Sequence, residues 1–278
     1  MKITVIAAAI IAACSMAASA YAENYVRYQQ NGVTSWGQII GSTIHQLSAA
    51  PYLDGVPTGK LIERADVKLK APVDPKLAFM TAFNYSDHKK ETFGITKDTT
   101  KKPGLFTVPV GSIIGPEDDI VRPAGSVNFH YEAEMVAVIG KRAENVPLEE
   151  AGDYIFGVTI GNDGSERDWQ ANDIQWLRAK GSNNFNPVGP QLVTGLDYNN
   201  LDIEGRLNGK KSQAANSSGM IFNMNYMVHY ISQYFTLEPG DVIWSGTMGS
   251  TGKMEPGDVY EIELEGVGIL RNKLVQGK

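Results

Sequence analysis

YEAEMVAVIG, residues Tyr131 to Gly140, decides how this chain is read. Two acids, Glu132 and Glu134, stand at the mouth of a run that is otherwise apolar and rich in valine and isoleucine, the composition of a buried strand. Alternation along a strand points both carboxylates to one face, on the order of 7 Å apart. E-x-E alone fits an edge strand with one solvated face equally well. The five consecutive apolar residues Met135 to Ile139 favour a strand buried on both sides just beyond the acids. Like charges entering a dry interior must be protonated, paired with bases or neutralised by a cation. No Lys or Arg stands at Ala133, Met135 or Val136 to pair them locally. A third acid, Asp163, follows the next apolar strand, Tyr154 to Ile160, where strand pairing can bring it to the same point. Three carboxylates with no nitrogen or sulfur ligand required suit a hard ion such as magnesium, manganese or calcium, and such a site points to an enzyme.

The start of the chain speaks to compartment. Lys2, the apolar stretch Ile3 to Ala13 and small residues ending in Ala20-Tyr21-Ala22 form a secretory signal peptide over 1–22 with an A-x-A cleavage site. Its apolar core is too short to span a bilayer as a helix. Cys14, preceded by Ile11-Ala12-Ala13, also fits a bacterial lipoprotein acceptor, but the later site is better placed. The expected product is periplasmic or secreted, without a membrane anchor unless Cys14 is lipidated, and without any cysteine for disulfides or thiolate chemistry. At 42% hydrophobic and 20% charged the composition is that of an ordinary globular protein. The formal net charge of −6 becomes −7 once Lys2 leaves, and no Lys/Arg-rich run accompanies it, which argues against a nucleic-acid partner.

After the leader, Val26-Arg27-Tyr28 and Trp36 to Ile40 read as strands around Gly32, Ile44 to Ala49 as a short helix, and Asp54-Gly55 and Pro57-Thr58-Gly59 as turns. These form a small N-terminal lobe over 23–72, with Lys70 to Pro75 as the linker into a main body over 73–278. Leu77 to Phe83 reads as a strand, and the polar segment Asn84 to Lys102 as a disordered loop or an active-site lid. Pro147 to Ala151 suggests one helical turn, Ser165 to Lys180 a helix or an irregular loop, and Asn225 to Phe235 a helix. The tetrapeptide Glu-Pro-Gly-Asp occurs at Glu238 to Asp241 and at Glu255 to Asp258, each time before an apolar strand, and reads as a turn with its acids in solvent.

His88 and Glu91 form an H-x-x-E pair, facing the same side if helical. A carboxylate beside an imidazole orients it and raises its basicity, giving a water-activating base near neutral pH; the alternative is an exposed polar turn. His130 shares the side of Glu132 and Glu134 and is read as an outer partner or a fourth ligand, whereas His45 and His229 are read as residues on helix faces. No Ser sits in G-x-S-x-G, and GTMGSTG, Gly246 to Gly252, lacks the ending of a phosphate loop.

Taken together, these segments resemble the fumarylacetoacetate hydrolase family, in particular its small acylpyruvase-like branch. The resemblance runs through Trp36-Gly37, FNYSDHKKE (Phe83 to Glu91), YEAEMVAVIGK (Tyr131 to Lys141), GNDGSERDWQ (Gly161 to Gln170), KGSNNFNPVGP (Lys180 to Pro190) and LEPGDVIWSGT (Leu237 to Thr247). It implies a mixed, β-rich α+β fold, a β-roll of several sheets with few helices, commonly dimeric. It implies Glu132, Glu134 and Asp163 as ligands of magnesium or manganese, and His88 with Glu91 as a water-activating dyad on a lid. Lys180 becomes a further catalytic group, and Arg167, Gln170 and Thr247 become substrate contacts. The activity implied is hydrolytic carbon–carbon cleavage of an acylpyruvate or related 2,4-dioxo acid through an enolate. Decarboxylation of a 2-oxo acid or isomerisation of a 2-hydroxy-dienoate is the alternative on the same centre, and an exported metal-dependent binding protein is the alternative of another class. The chain departs from the family pattern at Gly164 and Glu166, at Gly181 to Asn184, at Val108-Pro109 and in the Met248 to Gly252 loop.

Overall fold

The computed structural model describes residues 22–93 and 101–278, without the side chains of Lys89 and 91–93; all of the expected leader but its last residue, Cys14 included, lies outside the described residues. In chain order the first strands are β1 (Asn24–Gln30), β2 (Val33–Ile40), β3 (Thr43–Leu47), β4 (Pro57–Glu63), β5 (Lys68–Lys70) and β6 (Ala78–Ala82), followed by helix α1 (Ser86–Phe93). Then come β7 (Gly104–Thr107), β8 (Ile113–Ile114), β9 (Ile120–Arg122), β10 (Phe129–His130), β11 (Ala133–Ile139), β12 (Ile155–Asn162) and β13 (Ser165–Glu166). Two short helices, α2 (Arg167–Asn172) and α3 (Leu177–Gly181), lead to β14 (Asn186–Val193), β15 (Asp202–Leu207) and β16 (Lys210–Asn216). Helix α4 (Met224–Ser232) precedes β17 (Val242–Trp244), β18 (Val259–Leu264) and β19 (Gly268–Gln276).

A 12-stranded sheet runs β4-β3-β2-β1-β14-β12-β11-β17-β6-β7, with β5 on β1 and β8 on β14; a second sheet runs β16-β15-β18-β19-β9. The expected β-rich fold of several sheets with few helices is the one observed. Every residue of β11 is buried, because both faces of the strand are covered. Ala133, Met135, Ala137 and Ile139 enter the core shared with the five-stranded sheet, among Ile203, Tyr260, Ile262 and Leu270. Val136 and Val138 enter a second core with Met80, Leu192, Val242 and Trp244. Period-2 alternation thus feeds two cores from one strand.

Three readings need correction. The segment around Ile44 is strand β3, not a helix: Ile44 and Leu47 are buried three residues apart because the register with β4 shifts between His45 and Leu47. A bulge gave an extended segment helical spacing, and it places His45 on a strand. Pro57-Thr58-Gly59 opens β4, which ends the sheet, where a proline's missing N–H costs no ladder bond. The Glu-Pro-Gly-Asp turns are present, but Asp241 is buried. Its Oδ1 accepts from the Lys76 and Leu77 amides at 3.0 and 2.8 Å, and its Oδ2 from the Glu238 amide at 2.8 Å. Ser165 to Lys180 holds α2 and α3, and β1 pairs with β14, so the N-terminal strands continue the large sheet. Among the described residues no helix is long and apolar enough to cross a membrane.

Candidate functional site

Pairing of β11 with β12 sets Ala133 opposite Asn162 and Glu134 opposite Gly161. Just past the ladder the Asp163 amide donates to the Glu132 carbonyl at 3.0 Å, and the Glu132 amide to Asn162 Oδ1 at 2.9 Å. The two segments therefore deliver three buried carboxylates to one point: Glu132, Glu134 and Asp163 each offer an oxygen within 4.8 Å of the others. On the other flank β17 runs on into Gly246, whose amide donates to Glu134 Oε2 at 2.8 Å. Gly246 has φ +79, and a Cβ there would stand 2.9 Å from that of Asn84, so this close approach asks for glycine.

Bases distant in sequence supply part of the charge balance that no local residue could. Lys180, at the end of α3, donates to Glu132 Oε2 and Asp163 Oδ2, both at 2.7 Å. Arg167, at the start of α2, donates to Glu132 Oε1 at 2.6 Å, to Gln170 Oε1 at 2.7 Å and to Thr251 Oγ1 at 2.7 Å. Burial alone would raise the Glu132 carboxyl, but Lys180 and Arg167 outweigh it and hold it below the usual carboxylate range. Burial and the repulsion of Asp163 and Glu132 push Glu134 well above that range, and burial lifts Asp163 to about 7 despite Lys180. With all three carboxylates ionised, the two cations leave one negative charge unbalanced, and Asp163 Oδ1 is buried without a hydrogen-bond partner. An all-oxygen donor set with one orphaned carboxylate oxygen fits a hard divalent ion.

His88 lies on α1, and its start is anchored by buried Asn84, whose amide donates to the Ser245 carbonyl at 2.7 Å and the Phe222 carbonyl at 2.9 Å. His88 Nδ1 lies 2.7 Å from the Gly249 carbonyl oxygen, which can only accept, so Nδ1 carries the proton. The unprotonated Nε2 then faces Glu132 Oε1 at 3.9 Å. Burial holds the imidazole below its usual range, keeping it neutral, against the pull of Glu132. A cavity of about 20 Å³ is lined by His88, Glu132, Asp163, Lys180, Gln170 and Thr247 and walled by Phe83, Phe106 and Trp176. Trp176 packs edge-on to both phenyl rings, and Lys180 Nζ lies 5.8 Å from the Phe106 ring centre.

Of the residues singled out in the sequence, His88, Lys180, Arg167, Gln170 and Thr247 converge with the three acids. Glu91 is in the same helix as His88, but its side chain lies outside the described residues. His130 is not in the carboxylate cluster: its ring nitrogens meet Thr251 Oγ1 and Asn128 Oδ1, both at 3.0 Å, and Thr251 links it to Arg167. His229 is on a helix, with Nδ1 2.8 Å from the Val146 carbonyl. Glu166, one of the departures, caps α2 by accepting from the Asp168 amide. Asn84 and Gln213 escaped the sequence reading. Asn84 stood inside a quoted motif, whereas Gln213, in the polar run KKSQAAN, carried no signal.

Comparison with known proteins places this arrangement. Residues 78–275 match the model of the fumarylacetoacetate (FAA) hydrolase C-terminal family, and residues 24–72 that of an N-terminal domain called Rv2993c-like. The mitochondrial oxaloacetate tautomerase Fahd2a of Rattus norvegicus is 36% identical over 227 residues, 77% of this chain and 72% of that protein. The crystal structure of 5-carboxymethyl-2-hydroxymuconate delta-isomerase from Mycobacterium smegmatis superposes with a TM-score of 0.85 at 33% identity, covering 91% of this chain and 100% of that one. A fumarylacetoacetate hydrolase from Exiguobacterium antarcticum gives 0.82 at 28% identity, covering 92% and 100%. The chain belongs to the fumarylacetoacetate hydrolase family.

Proposed function

We propose that this chain is a divalent-metal-dependent enzyme that moves a proton at the carbon beside the keto group of a small 2-oxo acid, as a tautomerase or isomerase, with magnesium or manganese as its ion. The orientation of His88 carries the reading. With Nδ1 protonated toward the Gly249 carbonyl and burial keeping the ring neutral, Nε2 is a base aimed at the carboxylate cluster. An ion held by Glu132, Glu134 and Asp163 would supply Lewis-acid stabilisation for negative charge growing on the keto oxygen. Nε2 takes the proton from carbon, and the C–H electron pair passes into the enolate. The imidazolium then returns the proton to oxygen or to a different carbon, which completes the tautomerisation or isomerisation. Lys180 and Arg167 bring positive charge to the substrate's carboxylate and the developing oxyanion. Phe83, Phe106 and Trp176 give the cavity an apolar wall, which keeps bulk water away. The names of the rat tautomerase and the mycobacterial isomerase support this choice of reaction.

Hydrolytic cleavage of an acylpyruvate is the second reading, and the room for one water beside His88 favours it. Both are tested by following loss of the oxaloacetate enol absorbance and cleavage of acetylpyruvate, with chelator and with added magnesium or manganese. The expected outcome is enol conversion that chelator abolishes and metal restores, and that His88→Ala slows by about 10²–10⁴ while the protein still binds metal. Activity indifferent to chelator would sink the reading; cleavage without enol conversion selects the second. If His88→Ala changes nothing measurable, a binding protein remains. We also infer export by the leader over 1–22, which cell fractionation checks.

A further inference from the structure

We infer that Gln213, on the five-stranded sheet, is a positioning residue for the metal site. Among the described residues no strand of that sheet lines the cavity, yet the buried Gln213 side chain of β16 reaches Thr247, which does. Gln213 Oε1 accepts from the Ala133 amide at 2.9 Å and from the Tyr260 hydroxyl at 2.8 Å. Its Nε2 donates to Thr247 Oγ1 at 2.9 Å and to the Met248 carbonyl at 2.5 Å. The orientation of the amide is forced, because the Ala133 N–H can only donate and the Met248 carbonyl can only accept. All four positions of the amide are therefore used.

What Gln213 holds is the geometry of the acids. Ala133 lies between Glu132 and Glu134; its N–H is fixed by Gln213, and its carbonyl accepts from Thr247 Oγ1 at 2.9 Å, the hydroxyl that Gln213 itself holds. The same grip at Thr247 and Met248 fixes the loop that runs on to Thr251. That loop sets the Gly246 amide on Glu134, the Gly249 carbonyl on His88 and the Thr251 hydroxyl on Arg167. One amide thus couples the spacing of two acids to the orientation of the base and of a cation. The inference rests on reading Glu132, Glu134 and Asp163 as an ion site, and not on which reaction follows.

The test compares Gln213→Met, which removes all four bonds, and Gln213→Glu, which keeps the shape but loses the two donors, with Ser217→Ala. Ser217 accepts the Leu201 amide at 2.8 Å elsewhere on the same side of the fold and serves as a stability control. Mn²⁺ affinity is read by calorimetry, alongside melting temperature and the kcat and KM of any 2-oxo acid turned over. Both Gln213 variants are expected to bind Mn²⁺ about 10–100-fold more weakly and to lose kcat by a similar factor. Their KM should change much less, and Ser217→Ala should lose melting temperature alone. Folded Gln213 variants with wild-type Mn²⁺ affinity and kcat would overturn the inference. If Gln213→Met does not fold, amide hydrogen exchange in Gln213→Glu decides: faster exchange at Ala133 and across 246–251 supports it, and unchanged exchange refutes it. A wild-type protein that binds Mn²⁺ but turns over nothing counts against the proposed reaction alone, since the affinity comparison still stands.

Discussion

Lys180 sits between two carboxylates that repel each other, and its ammonium pairs with both at 2.7 Å. Removing one member of a buried ion pair leaves the other uncompensated, at a cost of up to about 3–5 kcal/mol. Lys180→Met should therefore lower the unfolding free energy of chelator-treated protein, and a divalent ion should restore part of the loss; denaturant titration measures both. A variant as stable as wild type without metal would show that the acids are balanced some other way. Gly164 makes a purely steric prediction. A Cβ there would stand 2.4 Å from the Phe185 carbonyl oxygen and 2.7 Å from the Phe129 ring, which pack edge to face at 5.0 Å. Gly164→Ala should cost about 1–3 kcal/mol by the same titration. A neutral result would mean the Phe185 backbone and the Phe129 ring give way freely.

Between elements, the two Glu-Pro-Gly-Asp turns separate what sequence shows from what it hides. Identical text gives similar turns, with Asp241 and Asp258 each accepting the amide three residues earlier at 2.8 and 2.7 Å. Only Asp241 is buried, because the residues leading into β6 lie against it and supply two more amides. Asp241→Ala should strand those donors and cost about 1–3 kcal/mol for each group left unpaired, and Asp258→Ala clearly less; equal losses would refute the distinction. Strand β5 is tied to the main body by Asp118, which meets Lys68 Nζ at 2.5 Å and Lys70 Nζ at 3.5 Å. Partial burial would raise that carboxyl, but the Lys68 contact and the Gly115 amide outweigh it and hold it below its ordinary value. The folded protein then binds this proton more weakly than the unfolded chain. The stabilisation is present above the ordinary aspartate value near 4 and fades as pH falls below it. Asp118→Asn should thus lower the melting temperature more at pH 7 than at pH 3, whereas equal shifts at both would sink the argument.

Across the whole molecule, the strand periods were legible wherever an apolar run was long enough to show its pattern, as in β11 and β12. They failed at β3, where a bulge mimicked helical spacing. The carboxylates were legible because charge at the mouth of an apolar strand needs a physical reason, and the pairing of neighbouring strands was enough to predict that Asp163 could join them. Lys180 and Arg167 were legible only through family resemblance, as a catalytic group and a substrate contact, and their pairing with the acids was not legible, since α2 and α3 return to β11 by a path no local pattern reveals. Gln213 was not legible at all: its partners are two backbone groups, a threonine and a tyrosine brought together by the packing of two sheets. The whole arrangement depends on one buried acidic cluster accepting a divalent cation. Titrating chelator-treated protein with Mn²⁺, followed calorimetrically, should show one ion bound per chain in the wild type and at least about tenfold weaker binding in Glu134→Gln. A wild type that binds no ion, or a Glu134→Gln variant that binds it as tightly, would leave the site without its chemistry.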